Sequence, residues 1–441
     1  MIIIYLLLSG YAIYSFINYK YINFLFAFLG LVSRFFMLDR TGGHQIGCDF
    51  AIVVGIILFF YSRKREVDLF MDPYSKWVKI ILLFYCIEFI YTIVSSAESL
   101  NFALKVLRMP LILFAFYSLR VIPLEDWNSF FRKGLYLVLF QGLLYYFQFA
   151  GIYLLAGYNK EYGLSLGTSA AINIPRLSFF YIFYCLINED IKYRYLIILF
   201  LISLILMTFI RGSIIALGIG IVFYLYTQRN RKQTILILLI SIVLIPFAIN
   251  NIEKKSSLNH STSNDIAQVL SGDFRNIDET SGTFSFRTAM LVERFEYLRT
   301  HPQYLLQGVG MIHEYSPKCW SRFDFRIGTF NEGAFFEQCQ IESGDNTWVP
   351  ILLRYGIIGV ILHLLFFVIA LWDTWRRLDW TSIFFPIFLI LLLTSFESAL
   401  FERTDALAYA IMYLSLLAST YNPECSEYLE YAIDEKNIST F

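Results

Sequence analysis

Four arginines stand where a chemical reason is needed. Arg211 is followed by Gly212 and Ser213 at a tight turn between two apolar stretches, Tyr195 to Ile210 and Ile214 to Tyr226. Arg176 follows Pro175 at the start of another apolar stretch, Arg287 opens an amphipathic one, and Arg354 lies about two turns into a further one. A guanidinium stays charged at any relevant pH and grips phosphate through two parallel hydrogen bonds. Several of them converging at one end of a helix bundle would suit a diphosphate. Each also has a plainer reading, in which the side chain snorkels to an interface and steadies a helix end; for Arg354 the plainer reading is a buried ion pair. Lys105 and Arg108 are spaced i, i+3 in an apolar stretch, and Glu88 sits at matching depth on the preceding one. These three read first as an intramembrane ion pair, and otherwise as further site candidates.

The elements that must carry these residues follow from composition. The 441 residues are 57% hydrophobic, 19% aromatic and only 16% charged, with a mean hydropathy of +0.58. A soluble domain has no use for so much apolar side chain, and the zero net charge hides long charge-free stretches. This is the pattern of a membrane solvent, not of a nucleic-acid binder. A hydrocarbon core needs roughly 20 apolar residues per helix, which predicts about thirteen spans, twelve to fourteen with the uncertainty. They are 2–17, 21–38, 50–62, 77–95, 100–119, 134–156, 171–188, 194–210, 212–228, 234–250, 347–373, 380–396 and 405–420. The first has no small-residue cleavage site after it and reads as a span, not a removed signal. The expected divisions are 1–250 with ten spans, a large outer loop over 251–345, 346–420 with three spans, and a tail over 421–441.

Lys and Arg in the short loops set the orientation. One set of loops carries sixteen of them, and the opposite set carries five: Arg40, Lys160, Arg176, Arg211 and Arg403. The richer set is expected in the cytoplasm. That places the N-terminus and the 251–345 loop outside and the C-terminal tail inside. The loop opens with a polar run over 253–265 and then predicts a helix over Phe284 to Thr300, with Leu291, Phe295 and Leu298 on one face. Cys319 and Cys339 both fall in it, open to a disulfide or to free thiols. The six cysteines show no CxxC pair, so no metal is expected. Aromatic loop residues such as Trp320, Phe323, Phe325 and Phe330 either pack the loop or stack on sugars.

The densest pattern lies at the end of the loop. Arg287-Thr288-Ala289-Met290-Leu291 leads through Thr300-His301-Pro302 to Gly308-Val309-Gly310, then to Gly344-Asp345-Asn346-Thr347-Trp348 and Arg354-Tyr355-Gly356-Ile357-Ile358-Gly359. In these elements, and in Arg211-Gly212-Ser213, the chain resembles the O-antigen polymerase/ligase superfamily over roughly residues 170 to 400. The resemblance implies an all-α polytopic membrane protein with a large periplasmic loop containing amphipathic helices, of membrane glycosyltransferase (GT-C-like) architecture. It implies no cofactor, and as partners a polyprenyl-diphosphate-linked oligosaccharide donor and acceptor, membrane lipids and a protein that regulates chain length. Catalytic residues would be Asp345, Arg211 and Arg287, with Arg176, Arg211, Arg287 and Arg354 on the diphosphate. The family has His before Asn where this chain has Asp345 before Asn346, so Asp345 either takes the proton of the attacking hydroxyl or caps the following helix. Glu342 and His313 are the reserve bases. Gly356 and Gly359 read as close helix packing. The leading expectation is a polymerase of lipid-linked repeat units at the periplasmic face of the bacterial inner membrane. A ligase moving glycan onto lipid A-core is the alternative, and a lipid-linked oligosaccharide flippase is the rival from another class.

Overall fold

The computed structural model describes residues 2–33, 43–64, 72–149, 177–206, 211–227, 283–327, 341, 346–375, 377 and 379–421. Arg176, Glu342, Asp345, Phe330, Cys339, the expected span 234–250, the polar run 253–265 and the tail beyond 421 lie outside the described residues, as does the side chain of Arg211. Among the described residues every regular element is helical. The chain runs through α1 (Ile2–Ile17), α2 (Tyr21–Val32), α3 (Gly43–Lys64), α4 (Pro73–Val94), α5 (Leu100–Arg108), α6 (Ala115–Leu119) and α7 (Leu124–Phe149). It continues through α8 (Ser178–Ile187), α9 (Arg194–Leu206), α10 (Arg211–Thr227), α11 (Thr283–Thr300), α12 (Pro302–Leu305) and α13 (Pro317–Arg322). The last part is α14 (Trp348–Thr374), α15 (Phe384–Thr394) and α16 (Thr404–Ser419).

Three stretches among the described residues are long and apolar enough to cross a bilayer: α4, the run Leu100–Leu119, and α14. Shorter apolar helices accompany them. The molecule is thus a helical membrane protein. On α4, Ile80, Leu83, Ile87, Ile90 and Val94 are exposed at helical spacing, while Tyr74, Trp77, Ile81, Tyr85 and Glu88 face inward. An outward face this apolar fits lipid and not water. Asp72 starts α4 by accepting the Ser75 amide at 2.7 Å, with Pro73 at the first helical position. The hub is α16: every residue from Asp405 to Ser419 is buried, and α2, α3, α4, α6 and α7 pack around it. A helix apolar all round belongs in such a position.

Three expectations are adjusted. The 50–62 span begins earlier, at Gly43, and the 100–119 span is broken by a 3-10 turn, Met109–Phe114, because Pro110 lacks the amide a helix needs. The loop helix is present as α11, but its buried stripe is Ser285, Ala289, Met290, Arg294 and Leu298, while Phe295 stands 41% exposed. A hydropathy stripe leaves out Arg294. The fold buries it because Glu293 pairs with it at 2.7 Å and the Phe325 ring lies 4.3 Å under its guanidinium.

Candidate functional site

The site-bearing end of the bundle is built on a break in α14. Gly356 has φ +58° and ψ −158°, a combination that essentially only glycine adopts. The segment after α12 enters this break. Val309 donates its amide to the Leu353 carbonyl at 3.0 Å, Gly310 to the Arg354 carbonyl at 3.0 Å, and Ile358 donates to the Leu306 carbonyl at 3.1 Å. The backbone groups freed by the break are thereby paired, as a buried break requires. A Cβ on Gly356 would strike the Leu306 carbonyl. Gly356 therefore serves loop insertion and not the helix packing read from its sequence spacing; Gly359 is packed against the Tyr355 side chain of its own helix. The inserted segment is also tied to α4, where the Thr92 hydroxyl accepts the Met311 amide at 2.8 Å.

Arg354 is sealed into this joint. It is 2% exposed, its Nε donates to the Ile312 carbonyl at 2.9 Å, and its guanidinium pairs with Glu402. This is the buried ion pair of its plainer reading.

Four segments far apart in sequence meet beside that joint. Arg287, on the second turn of α11, lies 3.8 Å from the Glu397 carboxylate, and the two side chains are 16% and 24% exposed. The same carboxylate rests against Gly212 at the start of α10, where any Cβ would collide with it. This close approach explains why glycine follows Arg211. A carboxylate at a helix N-terminus is favoured by the unpaired amides and the dipole there. The 395–400 turn that carries Glu397 is sewn to the head of α14: the Thr347 amide donates to the Ser395 carbonyl at 3.0 Å, the Trp348 indole to the Ser395 hydroxyl at 2.9 Å, and the Leu400 amide to the Thr347 hydroxyl at 2.5 Å. Asn346 is buried just before this helix, its Oδ1 accepting the Trp348 amide at 2.8 Å. The arrangement thus brings Arg287 and the start of α10 to one carboxylate, on a turn fastened to Thr347 at the head of α14.

The remaining candidates lie elsewhere. Arg108 pairs with Asp49 at 3.3 Å, and the Lys105 ammonium sits 4.6 Å over the Phe102 ring. Glu88 is buried and hydrogen-bonded to Gln307. The expected pairing of Glu88 with Lys105 and Arg108 is therefore corrected: Asp49, on α3, takes the arginine. His313 packs against Phe102 in a tilted arrangement, with ring centroids 5.3 Å apart. Burial first, then the positive charges of Arg354, Lys105 and Arg108, push its imidazole down to about 4. Phe323 and Phe325 are buried and stack on one another at 5.2 Å, so they pack the loop. Cys319 is buried in the same cluster.

Sequence reasoning passed over Glu397 and Glu402, the two acids that meet Arg287 and Arg354. Their signal was available: both sit in the short connection between α15 and α16, beside Arg403, one of the five positive residues singled out against the topology bias. Orientation counts use Lys and Arg alone, so the acids carried no weight.

The family model described as O-antigen ligase matches residues 196–364. The matched stretch takes in α10, α11, the loop insertion and the broken part of α14, and agrees with the O-antigen polymerase/ligase superfamily that the motifs resemble. No curated protein matches the chain.

Proposed function

We propose, from the O-antigen ligase domain at residues 196–364 and the cationic elements around Glu397, that this membrane protein polymerises lipid-linked oligosaccharide repeat units. In this reading the work is done at the periplasmic face of the bacterial inner membrane, with the N-terminus outside and the C-terminal tail inside. The growing glycan leaves its polyprenyl diphosphate and joins the terminal sugar of a second lipid-linked unit. Arg287, Arg211 and the first amides of α10 hold the diphosphate, and Arg176 is a further contact. Arg354 is left out of the diphosphate set, since Glu402 and the Ile312 carbonyl already occupy its guanidinium.

The chemistry asks little more. The acceptor hydroxyl attacks the anomeric carbon, the bond from that carbon to the diphosphate oxygen breaks, and the lipid diphosphate departs with its charge stabilised by the arginines. The hydroxyl proton passes to a carboxylate. Asp345, directly before the Asn346-Thr347 anchor, is one acceptor for it. Glu397 is the other: in the free protein it occupies the place of an anion between Arg287 and Gly212, and an arriving diphosphate would take over the arginine and leave Glu397 beside the reacting centre. The observation that carries the reading is this meeting of Arg287 and the Arg211-Gly212 turn on one carboxylate.

The test is incubation of purified protein with lipid-linked repeat units in the presence of a chelator. A ladder of lengthening products is expected, and its absence would remove the polymerase reading. The match to an O-antigen ligase family favours a second reading, transfer of glycan to lipid A-core. A deletion strain separates them: loss of a polymerase leaves single repeat units on lipopolysaccharide, and loss of a ligase leaves none.

A further inference from the structure

A second cationic feature lies apart from the Arg287 site and shares no residue with it. It is a cavity of about 300 Å³ between the C-terminal end of α4 with its following turn, the segment that enters the α14 break, and α13. Tyr91, Ser96, Tyr304, Lys318, Ser321 and Arg322 contribute to its lining, and among the described residues no acidic one does. The two cations are held in place by neutral groups. The Lys318 ammonium donates to the Ser96 carbonyl at 2.6 Å. The Arg322 guanidinium lies 4.6 Å over the Tyr304 ring and reaches the Val309 carbonyl at 3.5 Å. Neither makes an ion pair among the described residues, whereas Arg287, Arg294, Arg299, Arg354 and Arg403 all do. Two positive charges facing one cavity, with no counter-charge in its wall among the described residues, attract an anion.

The size and the other lining groups narrow that anion. A bare phosphate would leave most of the volume empty, while a pyranose ring with a charged substituent fits a cavity of this class. Serine hydroxyls and tyrosines add hydrogen-bond partners suited to sugar hydroxyls and an aromatic wall suited to a sugar face. The helix that carries both cations, α13, is held firmly at its start, where Ser316 caps it by accepting the Cys319 amide at 3.0 Å and Pro317 takes the first helical position.

We infer that this cavity is a subsite for an acidic sugar residue of the glycan, whose carboxylate or phosphate substituent is gripped by Arg322 and Lys318. The inference rests on the reading above that the substrate is a glycan, and it adds that the repeat unit carries negative charge. Because Val309 both lines the cavity and donates its amide into the α14 break, a sugar bound here bears on the segment that organises the diphosphate site.

Equilibrium binding tests this without turnover. The full-length protein, in nanodiscs of phosphatidylcholine, is titrated with a trisaccharide containing glucuronic acid and with its analogue containing glucose at the same position. Saturable binding of the acidic trisaccharide is expected, with the neutral analogue and the Arg322→Ala and Lys318→Ala variants each weaker by roughly tenfold, as loss of a charge-assisted hydrogen bond implies. Arg299→Ala, which removes an exposed arginine paired with Glu296 on α11, should bind the acidic trisaccharide as the parent does. Lys318 is exposed, so Lys318→Gln keeps the test open should removal of Arg322 from the Tyr304 stack unfold the loop. Equal affinity for the two sugars, or indifference to the Lys318 variants, overturns the inference. So does loss of sugar binding in nanodiscs of phosphatidylglycerol, which would make a lipid headgroup the occupant. A protein that binds the acidic sugar but forms no ladder sinks the polymerase reading alone; one that forms a ladder but does not discriminate the sugars sinks only this subsite.

Discussion

Two arginine–glutamate pairs stand at the same end of the bundle and are built in opposite ways. Arg354 and Glu402 are 2% and 6% exposed and in direct contact, with a backbone carbonyl completing the guanidinium's coordination. Arg287 and Glu397 are several times more exposed and 3.8 Å apart. Charges taken fully out of water must stay together, because separating them leaves one ion buried without a partner. A looser pair, 3.8 Å apart and partly exposed, can exchange partners at lower cost than one in direct contact and sealed from water. The first pair therefore belongs to the scaffold, fastening the inserted loop to α14, and the second has the character of a site where an incoming anion can replace a carboxylate.

The sharpest way to break this comparison is to cut each pair. Arg354→Ala should destabilise the protein by about 3 to 5 kcal/mol, since Glu402 would remain buried and unpaired; thermal unfolding in detergent reads it, and adding Glu402→Leu should recover part of the loss. Arg287→Ala should lower the melting temperature less than Arg354→Ala does, because its pair is looser and more exposed, and lower polymerisation by roughly 10²- to 10³-fold, the usual cost of removing one donor from a preorganised anion site. Arg287→Lys should also fail if two parallel hydrogen bonds are needed. Product ladders together with protein levels distinguish the two outcomes. A destabilised Arg287→Ala with normal turnover per folded molecule would reverse the assignment of the pairs.

A smaller effect is expected from Gly356→Ala. Backbone strain of about 1 to 3 kcal/mol, with a contact against the Leu306 carbonyl, should expel the inserted loop and expose it to protease while the rest of the bundle persists.

The smallest effect concerns pH. The imidazole of His313 falls from its ordinary value of 6.5 to about 4 in the folded protein, so between those values the unfolded chain binds the proton that the folded one refuses. Stability should therefore rise with pH through this window and be lost as pH falls toward 4. Melting curves at neutral pH and near pH 4.5 should differ more for the parent than for His313→Gln.

Much of the frame was legible in the residue order. The apolar runs announced a helical membrane protein, and the loop helix was placed to within a residue at its start, since both depend on local periodicity. Pro110 is visible and its effect foreseeable, although the apolar run around it reads as continuous. The site was legible only by halves. Arg287 and Arg211 could be singled out as charges against the topology bias, and Gly212 as part of the element that follows Arg211, yet nothing near them named Glu397. Arg354 could be suspected of a buried pair, but its partner lies 48 residues further on. Glu88, Lys105 and Arg108 were matched by depth and found other partners, because depth fixes a position along the bundle axis and not around it.

Sequence alone determined that this chain spends its length in helices suited to lipid, since each such helix satisfies its own backbone and needs only apolar side chains outward. Tertiary structure alone decided where α14 breaks, which carboxylates Arg287 and Arg354 meet, and that two cations share a cavity with no acid in its wall among the described residues. Those outcomes depend on how separate helices pack against one another, and no local period in the chain records that.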